Sequence, residues 1–421
     1  MRVSSVVRRL LGIEQAVVER VFFESGGVVT HVRVGARQRL RCSRCRRRCG
    51  KHDNGQGRRR WRTLDMGSTR SFIEADAPRV RCPAHGVVVA HVPWASVGSG
   101  FTHEFEQQTA YLAVNASQKV VAELMRIAWR TVGRILQRIV SAALEGRDLL
   151  DGVRRIGIDE TSYRRGHRYL TVVVCHDTGR LIWAAPGRNK ATLERFFVEL
   201  GPERCARIKH ASADGAAWIH DTIRKFCKHA VVCMDAFHIV KWVNEAVDKI
   251  RREFWNDTRK HRKRGRPPKD LKARAAQIKN SRWALLKNPE NLNEKQAATL
   301  AELEAAGGPL WKAWLLKEDL RELLKLNADE ASDRLDTWLD RVDQSGLEAF
   351  AKIATTIRKL RPEIEAMLTH RLTNGRVESI NAKIRLIQVR AFGFHNPFAL
   401  IALAKLTLSG LCPPLPGRAV A

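Results

Sequence analysis

Three short apolar segments of this chain each run into an aspartate. They are RIGID (155–159), ASAD (211–214) and VVCMD (231–235), and each is typical of a buried β-strand. A carboxylate at the end of a buried strand costs free energy unless a metal ion or a charged partner compensates it. These three aspartates are therefore candidate members of a catalytic or metal-binding site.

The elements between the aspartates follow a definite order. Segments 168–177 and 180–187 read as strands, whereas 191–201 and 216–227 have the apolar spacing of helices. Residues 240–370 read as almost entirely helical, and a further helix follows them. The succession is strand with Asp, two strands, helix, strand with Asp, helix, strand with Asp, long helical insertion and a last helix with Glu.

That order predicts an RNase H-like α/β catalytic core interrupted by a helical insertion. The last helix begins near Glu378 and places Asn381 and Arg385 on the same face as that acid. An RNase H-like core brings three carboxylates together to hold two Mg²⁺, for which Mn²⁺ is an expected substitute. The candidate catalytic residues are Asp159, Asp214 and Glu378.

The net charge narrows the class of partner. The 421 residues carry 75 Lys and Arg against 44 Asp and Glu, which gives a formal net charge of +31. Such an excess needs a polyanion, and nucleic acid is the usual one. The basic residues are spread along the chain, no apolar run is long enough to span a membrane, and the N-terminus does not read as a signal peptide. We expect a cytoplasmic protein that acts on nucleic acid and not on a membrane.

Two short metal-binding turns lie near the N-terminus, Cys42-x-x-Cys45 and Cys82-x-x-His85. Zinc takes four nitrogen or sulfur ligands in a tetrahedron, and two such turns supply them. The pattern predicts structural Zn²⁺ in a zinc-ribbon-like module whose arginine-rich flanks face phosphates. Cys49 and His52 are a competing ligand pair, so a compact site that combines them with the first turn remains open, although it leaves the second turn unexplained.

Segment 117–139 is typical of a helix-turn-helix. Ser117 is expected to cap the first helix and Thr131 the second. The apolar faces are expected to be Val120, Val121 and Leu124 on the first helix and Val132, Ile135 and Ile139 on the second. The other side of the second helix carries Arg130, Arg134 and Arg138, which suits a recognition helix in the major groove. Helix pairs are common, so a plain helical linker is the alternative.

The predicted insertion contains a basic stretch, KHRKRGRPPKD (260–270), with an AT-hook-like centre at Arg264 and Arg266. An extended Arg-Gly-Arg fits the narrow minor groove of A·T-rich DNA, and a solvated basic linker is the alternative. Five tryptophans of the insertion are expected in its core rather than against bases. They are Trp255, Trp283, Trp311, Trp314 and Trp338.

Five ordered motifs carry a resemblance to a known family. GIDETSYRRGHRYLTVVV, GRNKATLERFFVELG, MDAFHIVKWVNEAVDKIRRE, LLKNPENL and TNGRVESINAKIRLIQVRAFGF, together with RCPAHG, resemble the bacterial insertion-sequence transposases of the ISL3 family over nearly the whole chain. The resemblance implies a DDE transposase with a zinc-binding N-terminus, a helix-turn-helix and an RNase H-like catalytic domain, in the bacterial cytoplasm with the nucleoid. By that resemblance the first and last catalytic acids are Asp159 and Glu378.

The middle acid is contested between Asp214 and Asp235. In RNase H-like cores the second acid ends the fourth strand, and counting strands here gives Asp214. Transposases with a similar insertion often carry Cys or Asp, two residues and then His after the next strand, and Asp235 with His238 matches that pattern. We therefore expect Asp214 to bind the metal, and Asp235 and His238 to support the site or to be the alternative catalytic pair.

The expected function is that of a DNA transposase. It would bind the terminal inverted repeats of its insertion sequence as double-stranded DNA, cleave them, and join them to target DNA as a homodimer or higher oligomer. Arg376, Lys383 and Arg385 are expected to contact DNA near the last acid. The rivals are a DNA-binding repressor without catalysis and an RNase H-like nuclease that cuts but does not join. The expected domains are 1–98 (zinc-binding module), 99–146 (helix-turn-helix), 153–240 (first part of the core), 241–370 (helical insertion) and 371–412 (last part of the core).

Overall fold

The computed structural model describes residues 3–13, 15–260 and 269–418. The chain forms two compact units. The first comprises Met1–Asp148 and Ile387–Ala421, and the second comprises Leu149–Leu386. None of the helices in the described ranges is long and apolar enough to cross a membrane.

The first unit begins with a short helix and seven strands. They are α1 (Val3–Leu10), β1 (Ala16–Glu24), β2 (Gly27–Val34), β3 (Gly50–Asp53), β4 (Arg58–Met66), β5 (Thr69–Asp76), β6 (Arg79–Cys82) and β7 (Gly86–Val89). The strands form one sheet in the order β1-β2-β5-β4 and a smaller one in the order β3-β6-β7. Inside the first unit, Trp61 packs edge-on against Trp94 at 5.6 Å between ring centroids. β1 pairs with β2, and β6 with β7, as antiparallel hairpins.

Three helices follow, α2 (His103–Asn115), α3 (Gln118–Leu124) and α4 (Trp129–Glu145). Ser117 caps α3 as predicted, because its side chain accepts a hydrogen bond from Val120 N. The predicted cap of α4 is wrong: the helix begins two residues before Thr131, and its N-cap Ala128 offers no side-chain acceptor. The turn between α3 and α4 passes through Arg126, whose φ of 52° lies in the left-handed region.

The predicted apolar face of α3 is partly wrong. Val121 is fully buried, but Val120 and Leu124 are 43% and 60% exposed. A helix of seven residues makes only two turns, so one buried position is enough to seat it on α4. On α4 the prediction holds better, since Val132 and Ile135 are fully buried.

The second unit contains a five-stranded sheet with the order predicted for an RNase H-like core. Its elements are β8 (Arg155–Arg164), β9 (Arg168–Cys175), β10 (Leu181–Pro186), α5 (Lys190–Leu200), α6 (Pro202–Arg207), β11 (His210–Ala213), α7 (Ala217–Phe226) and β12 (Val231–Met234). The strand order is β10-β9-β8-β11-β12. The first three strands are antiparallel, whereas β8, β11 and β12 run parallel.

Alternate residues of the strands build the core on one face of this sheet. Ile156, Ile158 and Val173 point to the face covered by α5 and α7, where they join Phe196 and Ile219. Because side chains alternate across a strand, Gly157 and Asp159 face the other way. The sheet therefore separates an apolar layer from the face that carries Asp159.

The insertion is helical, as predicted. It consists of α8 (Ala236–Lys260), α9 (Lys269–Asn280), α10 (Arg282–Leu286), α11 (Glu294–Ala306), α12 (Pro309–Leu323), α13 (Ala328–Ser345), α14 (Glu348–Lys359) and α15 (Arg361–His370), with a short 3₁₀ turn at Pro289–Asn291. Trp338 is 2% exposed and donates its indole N–H to Leu316 O, whereas Trp283 is 54% exposed. The core prediction thus fits Trp338 and fails for Trp283. Arg264 and Arg266, the AT-hook-like pair, lie outside the described residues.

Two helices close the fold, α16 (Gly375–Arg390) and α17 (Pro397–Leu408). The start of α16 lies against β8, because a Cβ atom on Gly157 would come within 2.3 Å of Val377 Cγ2. In the first unit, α17 packs on α2 and α4 and buries most of its length, including Leu400, Leu403 and Leu406.

Candidate catalytic site and metal centre

The three aspartates lie on the parallel strands of the second unit. Asp214 and Asp235 directly follow β11 and β12, as predicted, and Asp235 N donates to Ala213 O across 3.0 Å. Asp159 lies inside β8 rather than at its end, since that strand continues to Arg164. Parallel neighbours place their carboxyl ends at one edge of a sheet, so the three acids share that edge.

The helix α16 brings Glu378 to the same edge. Glu378 lies in the first turn of α16, and one turn further Asn381 donates its side-chain amide to Asp159 Oδ2 across 2.8 Å. Asn381 is only 3% exposed, so this contact is enclosed. The predicted face of α16, with Glu378, Asn381 and Arg385 together, agrees with these contacts and with the influence of Arg385 on the Glu378 charge.

Asn374, just before α16, connects the start of that helix to three strands. Its side-chain amide donates to Ile158 O at 3.3 Å, its backbone N–H donates to Asp235 Oδ1 at 3.3 Å, and the Ser212 hydroxyl donates to its Oδ1. Its own carbonyl accepts from Glu378 N at 2.8 Å. Asn374 therefore holds the start of α16, and with it Glu378, close to the strands that carry the aspartates. Sequence reasoning missed it, although an Asn before a helix start is a typical capping signal.

Asp235 is the most enclosed of the aspartates, at 2% exposure. Its Oδ1 accepts from the backbone N–H groups of Phe237 and Asn374, each at 3.3 Å, and its Oδ2 lies 2.9 Å from His238 Nδ1. Both oxygens are thus engaged by protein groups. Asp214, in contrast, is half-buried, and its Oδ1 accepts from Ala216 N at 3.1 Å.

Burial and the neighbouring charges raise the pKa values of acids at this sheet edge. Burial raises the pKa of Asp159 to about 6, and the negative charges of Asp214 and Asp235 act in the same direction. Burial and the charge of Asp235 also raise the pKa of Glu378. The hydrogen bond to Asp235 raises the pKa of His238. The carboxylates at this sheet edge therefore repel one another and are partly shielded from solvent.

No lysine or arginine forms an ion pair with Asp159, Asp214 or Glu378 within the described ranges. The nearest positive charges are those of His238 and Arg385, which act at a distance to lower the pKa of Glu378. In the part of the chain that the structure describes, the one group of three or more potential metal ligands whose ligand atoms all lie within 4.8 Å of one another is in the N-terminal module.

That group is the predicted zinc site, Cys42, Cys45, Cys82 and His85. Cys42 Sγ lies 3.7 Å from His85 Nδ1, Cys45 Sγ lies 3.7 Å from Cys82 Sγ, and Cys82 Sγ lies 3.5 Å from His85 Nδ1. Tetrahedral zinc, with Zn–S of about 2.3 Å and Zn–N of about 2.0 Å, separates its ligand atoms by about 3.5–3.8 Å. The four residues therefore fit structural zinc.

The competing ligands lie outside this group. Cys49 Sγ donates to Arg47 O at 3.3 Å, and His52 Nδ1 lies 3.4 Å from an Arg81 nitrogen. The second turn is held by the hairpin of β6 and β7, in which Cys82 pairs with Gly86. The hairpin presents Cys82 and His85 together, and the fold places them beside Cys42 and Cys45.

The basic side of α4 is divided between two roles. Arg130 and Arg134 are exposed, as a recognition helix requires. Arg138 instead donates from Nε and Nη2 to Glu106 Oε1 of α2, at 2.8 and 2.5 Å. Because Glu106 is 1% exposed, Arg138 neutralises a buried charge, and its predicted DNA contact is not supported.

Family models match the sheet with its acids, the helix pair α3–α4 and the zinc-binding module. The family model for the ISL3 DDE domain, described as a transposase, matches residues 156–404, which is more than half of the chain. The chain belongs to the ISL3 family of transposases. A helix-turn-helix model of transposase family ISL3 matches residues 90–140, and a zinc-finger model of the IS204/IS1001/IS1096/IS1165 transposases matches residues 38–85.

Curated relatives agree with the family models. This ISL3 transposase is 47% identical to the transposase for insertion sequence element IS1557 of Mycobacterium tuberculosis, over 99% of this chain and 98% of the relative. It is 28% identical to the transposase for insertion sequence element IS1001 of Bordetella parapertussis, over 84% of this chain and 85% of the relative. The resemblance and the predicted fold class are therefore confirmed.

The ISL3 transposase has a further buried acid that sequence reasoning missed. Glu160 follows Asp159 in β8, and its side chain is 5% exposed and 3.6 Å from Arg188 Nε. Burial and the charge of Asp214 raise the pKa of Glu160 to about 7. The DE pair in GIDETSY was the available signal, because it places a second acid directly after Asp159 in the strand.

Proposed function

We propose that this transposase cuts the DNA strands at the ends of its element and joins them to a target, with Mg²⁺ bound by Asp159, Asp214 and Glu378. The observation that carries the proposal is the set of three carboxylates, from two strands and one helix, that share one sheet edge and form no ion pair with a lysine or arginine of the described residues. Mn²⁺ is the expected substitute. When bound, divalent ions activate a water or 3′-hydroxyl and stabilise the leaving oxygen of an in-line phosphodiester displacement.

The protein's own residues support this chemistry by orientation. Asn381 holds one oxygen of Asp159 and the backbone of Glu160 donates to the other at 2.7 Å, which fixes the carboxylate plane and leaves each oxygen a lone pair. Asn374 fixes the start of α16 and so the place of Glu378.

Asp214 is our choice for the second acid. It follows β11, the fourth strand of the core, and its half-buried carboxylate accepts from a protein donor at Oδ1. Asp235 is almost fully enclosed, with two donors on Oδ1 and His238 against Oδ2. Because Asp235 is 2% exposed and all of its oxygens are engaged, it is less accessible to an ion than Asp214, and we place it as a supporting residue. It orients His238 through Nδ1 and leaves Nε2 for a phosphate near the cut.

DNA binding is assigned to several surfaces. We infer that the zinc-binding module (1–98) and the helix-turn-helix (99–146), through Arg130 and Arg134, bind the terminal inverted repeats. Arg376, Lys383 and Arg385 are exposed on α16 and would contact phosphates close to Glu378. Paired ends require two active sites, so we propose a homodimer or higher oligomer that works on bacterial DNA in the cytoplasm.

The decisive experiment uses the zinc-loaded full chain and duplexes that carry the ends of its own element. Nicks are mapped on both strands with Mg²⁺, with Mn²⁺ and without either ion, and joining is followed with precut ends. We expect metal-dependent nicks at the element boundary and joined product, both lost in Asp159→Asn and Glu378→Gln. Binding without nicks would favour the repressor, and nicks without joined product would favour the nuclease.

A further inference from the structure

The C-terminal end of α16 has an unusual residue at its capping position. Phe392 N donates to Val389 O at 3.1 Å and Gly393 N donates to Gln388 O at 2.9 Å, which is the Schellman pattern of a helix end. In that pattern the residue after the C-cap is left-handed and is usually glycine. Here it is Phe392, with φ of 56°, and the glycine comes one residue later. A bulky side chain in this conformation is sterically unfavourable.

The phenylalanine is not explained by packing. Phe392 is 87% exposed, the highest value among the large apolar side chains of the described residues. Two residues on, Phe394 is 7% exposed and anchors the loop in the first unit. The fold thus uses one aromatic ring as an anchor and holds the other in solvent at a steric cost. Strained positions that persist in this way concentrate at functional sites.

The surroundings of the loop are those of a DNA-binding surface. Its next residues border a groove of about 690 Å³ against α4, lined among others by Gln118, Arg130, Arg134, Gln137 and His395. The His395 ring lies 5.8 Å from that of Trp129, and the Arg130 guanidinium lies 5.6 Å above the Trp129 ring. Arg and Gln side chains recognise phosphates and base edges, so DNA bound along α4 passes beside the loop.

We propose that Phe392 stacks its ring on a nucleobase of the bound DNA, at a base step that is unstacked or unpaired. The basic groove attracts the polyanion, and every base offers a face to an exposed aromatic ring. Because the ring is already 87% exposed, it need not leave a packed position before it stacks on a base. This inference rests on the DNA binding proposed above for the first unit and adds a contact that a helix-turn-helix alone does not provide.

The test compares Phe392→Gly with Phe392→Tyr in the full zinc-loaded chain. Glycine removes the ring and also the steric cost, so we expect the melting temperature to stay the same or to rise by about 2–4 °C. Its affinity for a terminal-repeat duplex with a short unpaired bubble should fall about tenfold, whereas tyrosine should keep the affinity. Trp283→Ala is the control, because Trp283 is 54% exposed on α10, outside the modules proposed to bind the terminal repeats, and has no left-handed backbone.

A second measurement reports the contact directly and needs no catalysis. Duplexes in which single thymines are replaced by 5-iodouracil are irradiated without added Mg²⁺, and the cross-linked residue is identified by mass spectrometry. We expect a cross-link at Phe392 in the parent chain that the Phe392→Gly variant loses. Equal binding by Phe392→Gly and the parent chain, with no cross-link at this loop, would overturn the proposal while leaving cleavage intact. A parent chain that binds no such duplex would overturn this proposal and the proposed function together.

Discussion

The side-chain amide of Asn381 donates to Asp159 Oδ2 across 2.8 Å, in a position that is 3% exposed. This contact joins α16, which carries Glu378, to β8, which carries Asp159.

Asn381→Ala removes the donor, so the Asp159 carboxylate is held less firmly in its orientation. We expect a loss of about 10–100-fold in activity or in apparent Mg²⁺ affinity. Nicking rates measured against Mg²⁺ concentration check this, with the exposed Ser379→Ala on the same helix as control. An unchanged Mg²⁺ dependence would show that Asn381 has no positioning role.

Asp214 and Asp235 should respond differently to the same change. Asp214→Asn should abolish metal-dependent nicking, because it removes a proposed ligand. Asp235→Asn should keep measurable nicking but lower the free energy of unfolding by about 1–3 kcal/mol, since the amide cannot accept all three enclosed hydrogen bonds. Nicking assays and urea denaturation of both variants separate the two roles. Abolished nicking in Asp235→Asn together with activity in Asp214→Asn would reverse our assignment.

The zinc site predicts a contrast between Cys45 and Cys49. Cys45→Ser should lose zinc and the fold of the N-terminal module, because structural zinc supplies folding free energy. Cys49→Ser should keep both, since Cys49 bonds to Arg47 O outside the cluster. Bound zinc measured by atomic absorption, with thermal melting before and after chelation, provides the check. Zinc loss in Cys49→Ser but not in Cys82→Ser would favour the compact alternative site.

Arg134 and Arg138 are one turn apart on α4 but should act differently. Arg134→Ala should weaken DNA binding at any sequence and reduce the slope of log affinity against log salt by about 1 if it contacts a phosphate. Arg138→Ala should instead lower the free energy of unfolding by about 2 kcal/mol, because it leaves the buried Glu106 carboxylate without its ion-pair partner. Salt-dependent binding and denaturation curves for both variants test this. A folded Arg138→Ala protein of unchanged stability that binds DNA poorly would contradict it.

His176 predicts a loss of stability in mild acid. Burial, with the positive charges of Arg376 and Arg155, lowers the pKa of His176 to about 4 from the ordinary 6.5. The unfolded chain therefore takes up a proton below pH 6.5 that the folded chain does not, so stability falls as the pH falls from about 7 to 4. At pH 5 the expected loss from this residue is about 2 kcal/mol.

Denaturation at about pH 7.5 and about pH 5 tests this effect, with His176→Gln as the partner variant. Glutamine keeps a donor for Ser212 Oγ, which His176 Nε2 contacts at 2.7 Å, but it does not titrate. The difference between the two pH values should therefore shrink in the variant. An equal difference in both proteins would assign the acid sensitivity to other groups.

Local sequence patterns predicted much of the fold and the site. Alternating apolar residues, four-residue strands closed by an acid and paired two-residue turns are properties of short segments. They were sufficient for the order of strands and helices along the core, for the places of Asp214 and Asp235 after their strands, and for the favoured set of four zinc ligands.

The features that these patterns did not predict depend on packing between distant elements. The exposure of Leu124 and the pairing of Arg138 with Glu106 follow from how α2 and α3 lie on α4. Spacing along a single helix cannot show which turn meets which neighbour. Asp159 is a different case: it was expected at a strand end because the apolar run stops there, whereas the hairpin with β9 extends β8 to Arg164.

The sequence by itself determined that this chain carries acids on an RNase H-like sheet, a zinc ribbon and a helix-turn-helix. It favoured Asp214 over Asp235 only by counting strands, since each follows a strand of four residues. The tertiary structure adds a difference in their surroundings. The backbone of Asn374, 139 residues further along, closes over Asp235 and uses its oxygen, whereas the donor to Asp214 is its near neighbour Ala216. A carboxylate's role depends on which donors surround it, and these donors come together only when the chain has folded.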